Sequence, residues 1–157
     1  MKIEIKKSIK YVDYDVALKF LEKRVEDVIN RKKPELLWIL EHKPIFTAGT
    51  SSKENEILNK TINVTKTSRG GKITHHGPGQ KIVYFVLNLN ERGKDIRKLI
   101  KHVENCIIKI LKEYGIKSFS DKKNIGIWVN INGKAKKVAS IGIRVKRWIA
   151  FHGFSIN

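Results

Sequence analysis

Ile125-Gly126-Ile127-Trp128-Val129-Asn130, then Asn132-Gly133, then Lys137-Val138-Ala139-Ser140-Ile141-Gly142-Ile143-Arg144-Val145-Lys146 is the stretch that decides the fold class. Two apolar, β-branched runs flank an Asn-Gly pair. Both of those residues tolerate positive φ, as a two-residue hairpin turn requires. Trp148 to Ile156 reads as a further strand after this hairpin. Upstream, Ile96, Leu99, Ile100, Val103, Cys106, Ile107, Ile110, Leu111 and Tyr114 recur at spacings of three and four. They predict a helix from Asp95 to Tyr114, with Gly115 where a C-terminal cap belongs. Lys81 to Leu89 gives the strongest strand. Glu35 to Glu41 is a nearly continuous apolar run and predicts a buried strand. A helix from Asp13 to about Asn30 carries Ala17, Leu21, Val25, Val28 and Ile29 on one face and stops at Lys32-Lys33-Pro34. Ile3 to Lys6, Ile62 to Thr65 and Lys72 to His75 read as short strands, and Phe46-Thr47-Ala48-Gly49 as the turn into a polar loop. Two long helices among many strands, several joined as hairpins, predict an α+β fold. Its sheet is mixed and largely antiparallel, packed with helices, and not doubly wound.

Charge sets a second constraint. The 157 residues hold 33 Lys and Arg against 15 Asp and Glu, a formal charge of +18. No Asp or Glu stands between Glu56 and Glu91, and none follows Asp121. The excess therefore lies where the unusual segments are, and it points to an acidic partner. No apolar run approaches the roughly 18 residues a membrane span needs. The amino terminus has no apolar signal-peptide core. The single cysteine, Cys106, excludes an internal disulfide, so a reducing cytoplasm is the expected location. Cys106 falls on the apolar stripe of the second helix and is expected to be buried there.

The least regular segment is Arg69-Gly70-Gly71-Lys72-Ile73-Thr74-His75-His76-Gly77-Pro78-Gly79-Gln80. Four glycines and a proline in twelve residues either let a ligand lie against bare backbone or make tight turns around one strand. The segment is not a phosphate-binding P-loop, because Gly71-Lys72 is followed by Ile73 and the upstream glycine is absent. His75 and His76 are adjacent and would point to opposite faces of a strand, so no metal is expected. By itself, Lys137 reads as a solvated hairpin lysine like Lys134 and Lys136. In Trp148-Ile149-Ala150-Phe151-His152-Gly153-Phe154-Ser155-Ile156-Asn157, aromatics alternate with small residues, a pattern that core packing would also produce.

Taken in order, four blocks resemble the octanoyl transferase family. They are Arg69-Gly-Gly-x-x-Thr-x-His-Gly-Pro-Gly-Gln80, Gly126-Ile-Trp-Val129, Lys137-x-Ala-Ser-Ile-Gly-x-Arg-Val145, and Trp148-x-x-x-His-Gly-Phe154 with Ile156-Asn157. The resemblance extends over essentially the whole chain. It implies a fold shared with the catalytic domains of biotin and lipoate protein ligases, with no cofactor and no metal. It implies transfer of an octanoyl group from octanoyl-acyl carrier protein to a lysine of lipoyl domains, those of 2-oxoacid dehydrogenases and the glycine cleavage H protein. It places substrate binding on Arg69, Gly70, Gly71, Lys72, Ile73, Thr74, His75 and His76, on Ser140, Ile141 and Gly142, and on Gly153, Phe154 and Ser155. The family's catalytic lysine falls on Lys137.

The family mechanism implied is ping-pong acyl transfer through a cysteine thioester, with the lysine favouring the thiolate. The resemblance puts that cysteine in a Pro-Cys-Gly turn after the last strand, past Asn157. Residues 1–157 are thus expected to be a single catalytic domain lacking its carboxy-terminal part. Two other functions compete. One is a non-catalytic remnant that binds acyl chains or carrier domains. The other is a basic nucleic-acid module using Lys146-Arg147-Trp148 with Phe151 and Phe154 as a stacking platform.

Overall fold

The structure, a computed structural model, describes residues 2–121 and 124–157. Seven strands form the main sheet: β1 (Ile3–Lys7), β2 (Glu35–Leu40), β6 (Lys81–Asn88), β10 (Ile149–Ile156), β9 (Lys134–Lys146), β8 (Ile127–Ile131) and β7 (Ser118–Ser120), in that spatial order. Only β1 and β2 run parallel, and the other five pairings are antiparallel. The expected mixed, largely antiparallel α+β fold is what forms.

The two helices cover opposite faces of this sheet. Helix α1 (Tyr14–Ile29) contributes Ala17, Leu21, Val25 and Val28 to one core, against Leu36, Trp38, Leu40, Ile82, Tyr84 and Val86. Helix α2 (Ile96–Glu113) contributes Val103, Ile107 and Leu111 to the other, with Phe85, Ala150, Phe154, Ile127 and Ala139. Strand β6 is central and buried on both sides, which is why its sequence is apolar without clean alternation. Asp95 caps α2 by accepting from the Lys98 amide at 2.9 Å.

Cys106 is exposed, contrary to the expectation of burial. The buried arc of α2 runs through Val103, Glu104, Ile107 and Leu111. At about 100° per residue, Cys106 sits roughly 120° from the middle of that arc. Ile110 and Tyr114, on the same expected stripe, are exposed as well. The apolar stripe in the sequence is broader than the face the sheet can cover.

Asn132 and Gly133 take positive φ, 51° and 76°, and close the β8–β9 hairpin as expected. The β9–β10 hairpin uses the same left-handed pair at Arg147 and Trp148, with φ of 48° and 62°. No glycine announces this second turn. It is braced from outside, with the Leu89 amide donating to the Trp148 carbonyl at 2.7 Å. A second, three-stranded sheet was not expected. Strand β3 (Ile45–Ala48) lies between β4 (Val64–Lys66) and β5 (Ile73–His76). The segment read as a turn at Phe46 is therefore a strand, and the 69–72 loop connects its two partners.

Candidate active site

The small sheet positions the glycine-rich segment over the β9–β10 hairpin. The amides of Gly49, Thr50 and Ser51 donate to the carbonyls of Lys72, Arg69 and Gly71 at 3.2, 3.0 and 3.1 Å. Gly49 must be glycine, because a Cβ there would stand 2.3 Å from the Gly71 carbonyl oxygen. The loop so held lies directly on β9. A Cβ on Gly142 would come within 3.0 Å of the Gly70 oxygen, and one on Gly70 within 3.1 Å of the Ile143 oxygen. The glycines at 70 and 142 thus permit two backbones to touch. In the register, Gly142 faces Gly153 and Ser140 faces Ser155. Three separated blocks of the sequence meet here.

Arg69 is the buried centre of this junction. Its Nη2 donates to the Thr47 carbonyl at 2.9 Å and to Thr47 Oγ1 at 2.8 Å, and its Nη1 to the Gly70 carbonyl at 3.0 Å. No carboxylate pairs with it among the described residues, and burial pulls the guanidinium below its ordinary range. Around it stands a set of rings that sequence reading did not assemble: Tyr14, His42, His76, Tyr84 and His152. His42 donates through Nδ1 to the Val12 carbonyl at 2.7 Å and accepts at Nε2 from the Tyr84 hydroxyl at 2.8 Å, the neutral tautomer. Burial drives His42 in the same neutral direction. His76 stacks on Tyr14 with ring centroids 6.2 Å apart, and its Nδ1 donates to Gln80 Oε1 at 2.5 Å. Desolvation brings both His76 and His152 down to about 4. His152 holds a left-handed φ of 68° inside β10, and its buried Nε2 has no partner among the described residues. Burial also pushes both tyrosines up. The cluster is therefore uncharged at neutral pH apart from Arg69.

His75 and His76 point to opposite sides, as adjacent strand residues must. His75 is exposed against Phe46 at 4.8 Å, and His76 is buried. Lys72 pairs with Glu56 on the surface, outside the cluster. Ile73 and Thr74 pair with Ala48 and Thr47 on β3. Ile141 and Phe154 join the core under α2, so they offer the site backbone and not side chain. Ser155 is buried. Gln80 ties the segment to the end of β10, its Nε2 donating to Asn157 Oδ1 at 2.7 Å.

Lys137 reaches the site face by an irregularity. Strict alternation along β9 would give it the same face as Ala139 and Ile141, in the α2 core. Ile127 does pair with Ala139, but Trp128 pairs with Lys137, leaving Val138 bulged. The bulge sets Lys137 on the face opposite Ala139, that of Ser140 and Gly142. Its ammonium donates to the Ile125 carbonyl at 2.9 Å and lies 4.9 Å from the Trp128 ring centre.

Comparison with known proteins gives this geometry its context. The lipoyl protein ligase A/B catalytic domain matches residues 13–157. The chain belongs to that family. It is 45% identical over 148 residues to the octanoyltransferase of Ehrlichia ruminantium (strain Gardel), covering 93% of this chain and 71% of that protein. It is 42% identical over 147 residues to the octanoyltransferase of a Wolbachia from Brugia malayi (strain TRS), covering 93% and 72%. Among solved structures it superposes on an archaeal bi-partite lipoate protein ligase from Thermoplasma acidophilum. That match has a TM-score of 0.66 and 11% identity, and covers 99% of this chain and 62% of that one. The last likeness concerns the fold alone.

Membership of the lipoyl protein ligase A/B family bears out the expected fold and the acyltransferase class. The geometry takes both phenylalanines out of the nucleic-acid alternative. Phe151 and Phe154 are buried in opposite cores, and Lys146 pairs with Glu26 at 2.6 Å, which leaves Trp148 as the exposed aromatic of that segment. No described helix is long and apolar enough to cross a membrane.

Proposed function

We propose that this protein transfers octanoyl groups by a ping-pong route in which the face shared by residues 69–76, Ser140–Gly142 and Lys137 receives the acyl thioester. The class of reaction, octanoyl transfer in lipoate biosynthesis onto lipoyl domains, follows from the family and its octanoyltransferase relatives. The observation that supports the site assignment is the contact of the 69–71 loop with Gly142, which brings glycine backbone from two blocks together beside a buried cation.

In the first half-reaction a cysteine thiolate attacks the octanoyl thioester carbonyl. A new C–S bond forms, the bond to the carrier's sulfur breaks, and the carrier leaves as a thiol after taking a proton. The nucleophile is assigned, by family resemblance, to a turn after β10. In the second half-reaction a lipoyl-domain lysine attacks as a free amine. The C–N bond forms, the enzyme's C–S bond breaks, and the amine's proton passes to the enzyme sulfur. Lys137 stabilises the thiolate by its charge and relays protons between the two halves. Backbone N–H groups near Ser140, Ile141 and Gly142 face the developing oxyanion. The donor is octanoyl-acyl carrier protein, and the acceptors are lipoyl domains of 2-oxoacid dehydrogenases and the glycine cleavage H protein. The setting is the cytoplasm.

The test is single-turnover mass spectrometry. The protein carrying the family cysteine should gain an octanoyl adduct from octanoyl-acyl carrier protein and pass it to an apo lipoyl domain. The 157-residue polypeptide should do neither. An adduct on the 157-residue chain that maps to Cys106 would overturn the assignment of the nucleophile. Binding of acyl carrier without transfer by the cysteine-bearing protein would favour a purely binding role.

A further inference from the structure

The surroundings of Lys137 contain more than a well-placed charge. Three features of one short segment converge on its side chain. Gly126 has φ of +137°, a conformation open to glycine and strained for other residues. A Cβ there would stand 3.0 Å from Lys137 Cε, 3.2 Å from its Cδ and 2.8 Å from the Ala139 oxygen. The missing side chain is the space the lysine stem occupies. The Ile125 carbonyl accepts from the ammonium at 2.9 Å. The Trp128 ring lies beneath it with its centre 4.9 Å away. The indole is itself fixed, its Nε1–H donating to the Asn124 carbonyl at 3.0 Å.

None of these contacts contributes to either hydrophobic core. Counted from the Asn132-Gly133 turn, Trp128 pairs with Lys137, and the one-residue slip beyond that pair sets Ala139 opposite Ile127, so Lys137 and Ala139 lie on opposite faces. The neighbouring lysines show the contrast. Lys134 and Lys136 are exposed on the same strand, and no side-chain hydrogen bond or ring contact holds either of them among the described residues.

We propose that Trp128 is a positioning residue: with the Ile125 carbonyl and the space left by Gly126, it holds the Lys137 ammonium at one point on the site face. Trp128 touches no reacting atom and acts through the lysine. The proposal rests on the role given to Lys137 above, and its test separates the two. The 157-residue protein is treated with limiting acetic anhydride, and acetylation of each lysine is followed by peptide mass spectrometry. A lysine in this cradle must leave its carbonyl and ring before it presents a free amine. Lys137 should therefore be acetylated more slowly than Lys134 and Lys136, by about two- to fivefold if the ring contact has the usual strength of an exposed cation–π pair. Trp128→Leu should bring its rate to that of its neighbours, and Trp128→Phe should keep most of the protection. Its ε-methylene proton resonances should also lie upfield of other lysines in the original protein and return to normal in Trp128→Leu. Unchanged thermal unfolding in both variants would show that the hairpin is intact.

In the cysteine-bearing enzyme, Trp128→Leu should lower kcat severalfold with KM little changed, and Trp128→Phe should restore most of it. Equal acetylation of the three lysines in the original protein, or protection unaltered by Trp128→Leu, would overturn the cradle while leaving octanoyl transfer standing. A protected Lys137 whose replacement by alanine does not slow transfer would overturn the catalytic role and, with it, any positioning role for Trp128.

Discussion

The two halves of the candidate site belong to different sheets, the Arg69 loop to the small one and Lys137 on β9 to the large one, and differ in nearly everything else. Around Arg69 the groups are buried, their hydrogen bonds are mostly made inside the protein, and the imidazoles are neutral. Around Lys137 the cation is exposed and held by one carbonyl and one ring. Desolvation explains the difference. A buried titratable group must be matched by fixed partners or lose its charge, so the Arg69 half is a rigid floor. Lys137 stays in contact with solvent, and its two light contacts can be exchanged for others without unpacking a core. On the proposed mechanism the first half shapes the site and the second half reacts.

The comparison can be broken most severely at Gly153. A Cβ there would lie 1.9 Å from the Val83 carbonyl oxygen, inside the central β6–β10 pairing. Gly153→Ala should cost about 3 kcal/mol or more, because two backbones must separate. Urea unfolding checks this, and a loss under about 1 kcal/mol would mean that the floor is soft.

Lowering the pH comes next. His76 and His152 titrate near 4 when folded, against an ordinary 6.5. The unfolded chain therefore takes up protons between those values that the folded chain does not. Stability should be complete above about pH 6.5 and fall, by an amount on the order of a few kcal/mol, as pH drops towards 4. Urea midpoints at pH 7.5, 5.5 and 4.5 measure this, and His152→Asn should flatten part of the slope. A stability that rises on acidification would contradict the neutral floor.

Arg69→Met removes the donors to Thr47 and Gly70 while relieving a buried cation. A net loss of about 1–3 kcal/mol is expected from the unsatisfied carbonyls, with loss of acyl transfer. Retained activity would detach the floor from function.

Lys137→Ala sharpens the contrast from the other side. The unfolding midpoint should be unchanged while transfer by the cysteine-bearing enzyme slows strongly. Lys134→Ala and Lys136→Ala should change neither. Similar losses at all three positions would reduce Lys137 to a general charge effect. Cys106 gives the smallest effect. Iodoacetamide should label it in the folded protein without loss of structure, since it lies outside the buried arc of α2.

Much of the fold was legible in the chain. The Asn132-Gly133 turn, the 3–4 spacing in α1 and α2 and the apolar run of β6 each carry a local signal, because turn geometry and helix periodicity depend on near neighbours. Strands β3 and β7 carried little signal. They are four and three residues long, and pairing across the chain stabilises them. Cys106 was misplaced because periodicity identifies an apolar stripe and does not reveal how much of it a sheet will cover.

The sequence by itself determined the fold class, the glycine positions and the family blocks, since these reside in backbone permissiveness and in residue order. Only the tertiary structure decided which side of the sheet each block serves. It brought Tyr14, His42, Tyr84 and His152 around Arg69 from four separate segments, and a single bulged residue, Val138, set Lys137 and Ala139 on opposite faces of β9. In a strand one residue of slip inverts every side chain beyond it, and no local pattern encodes where that slip will fall.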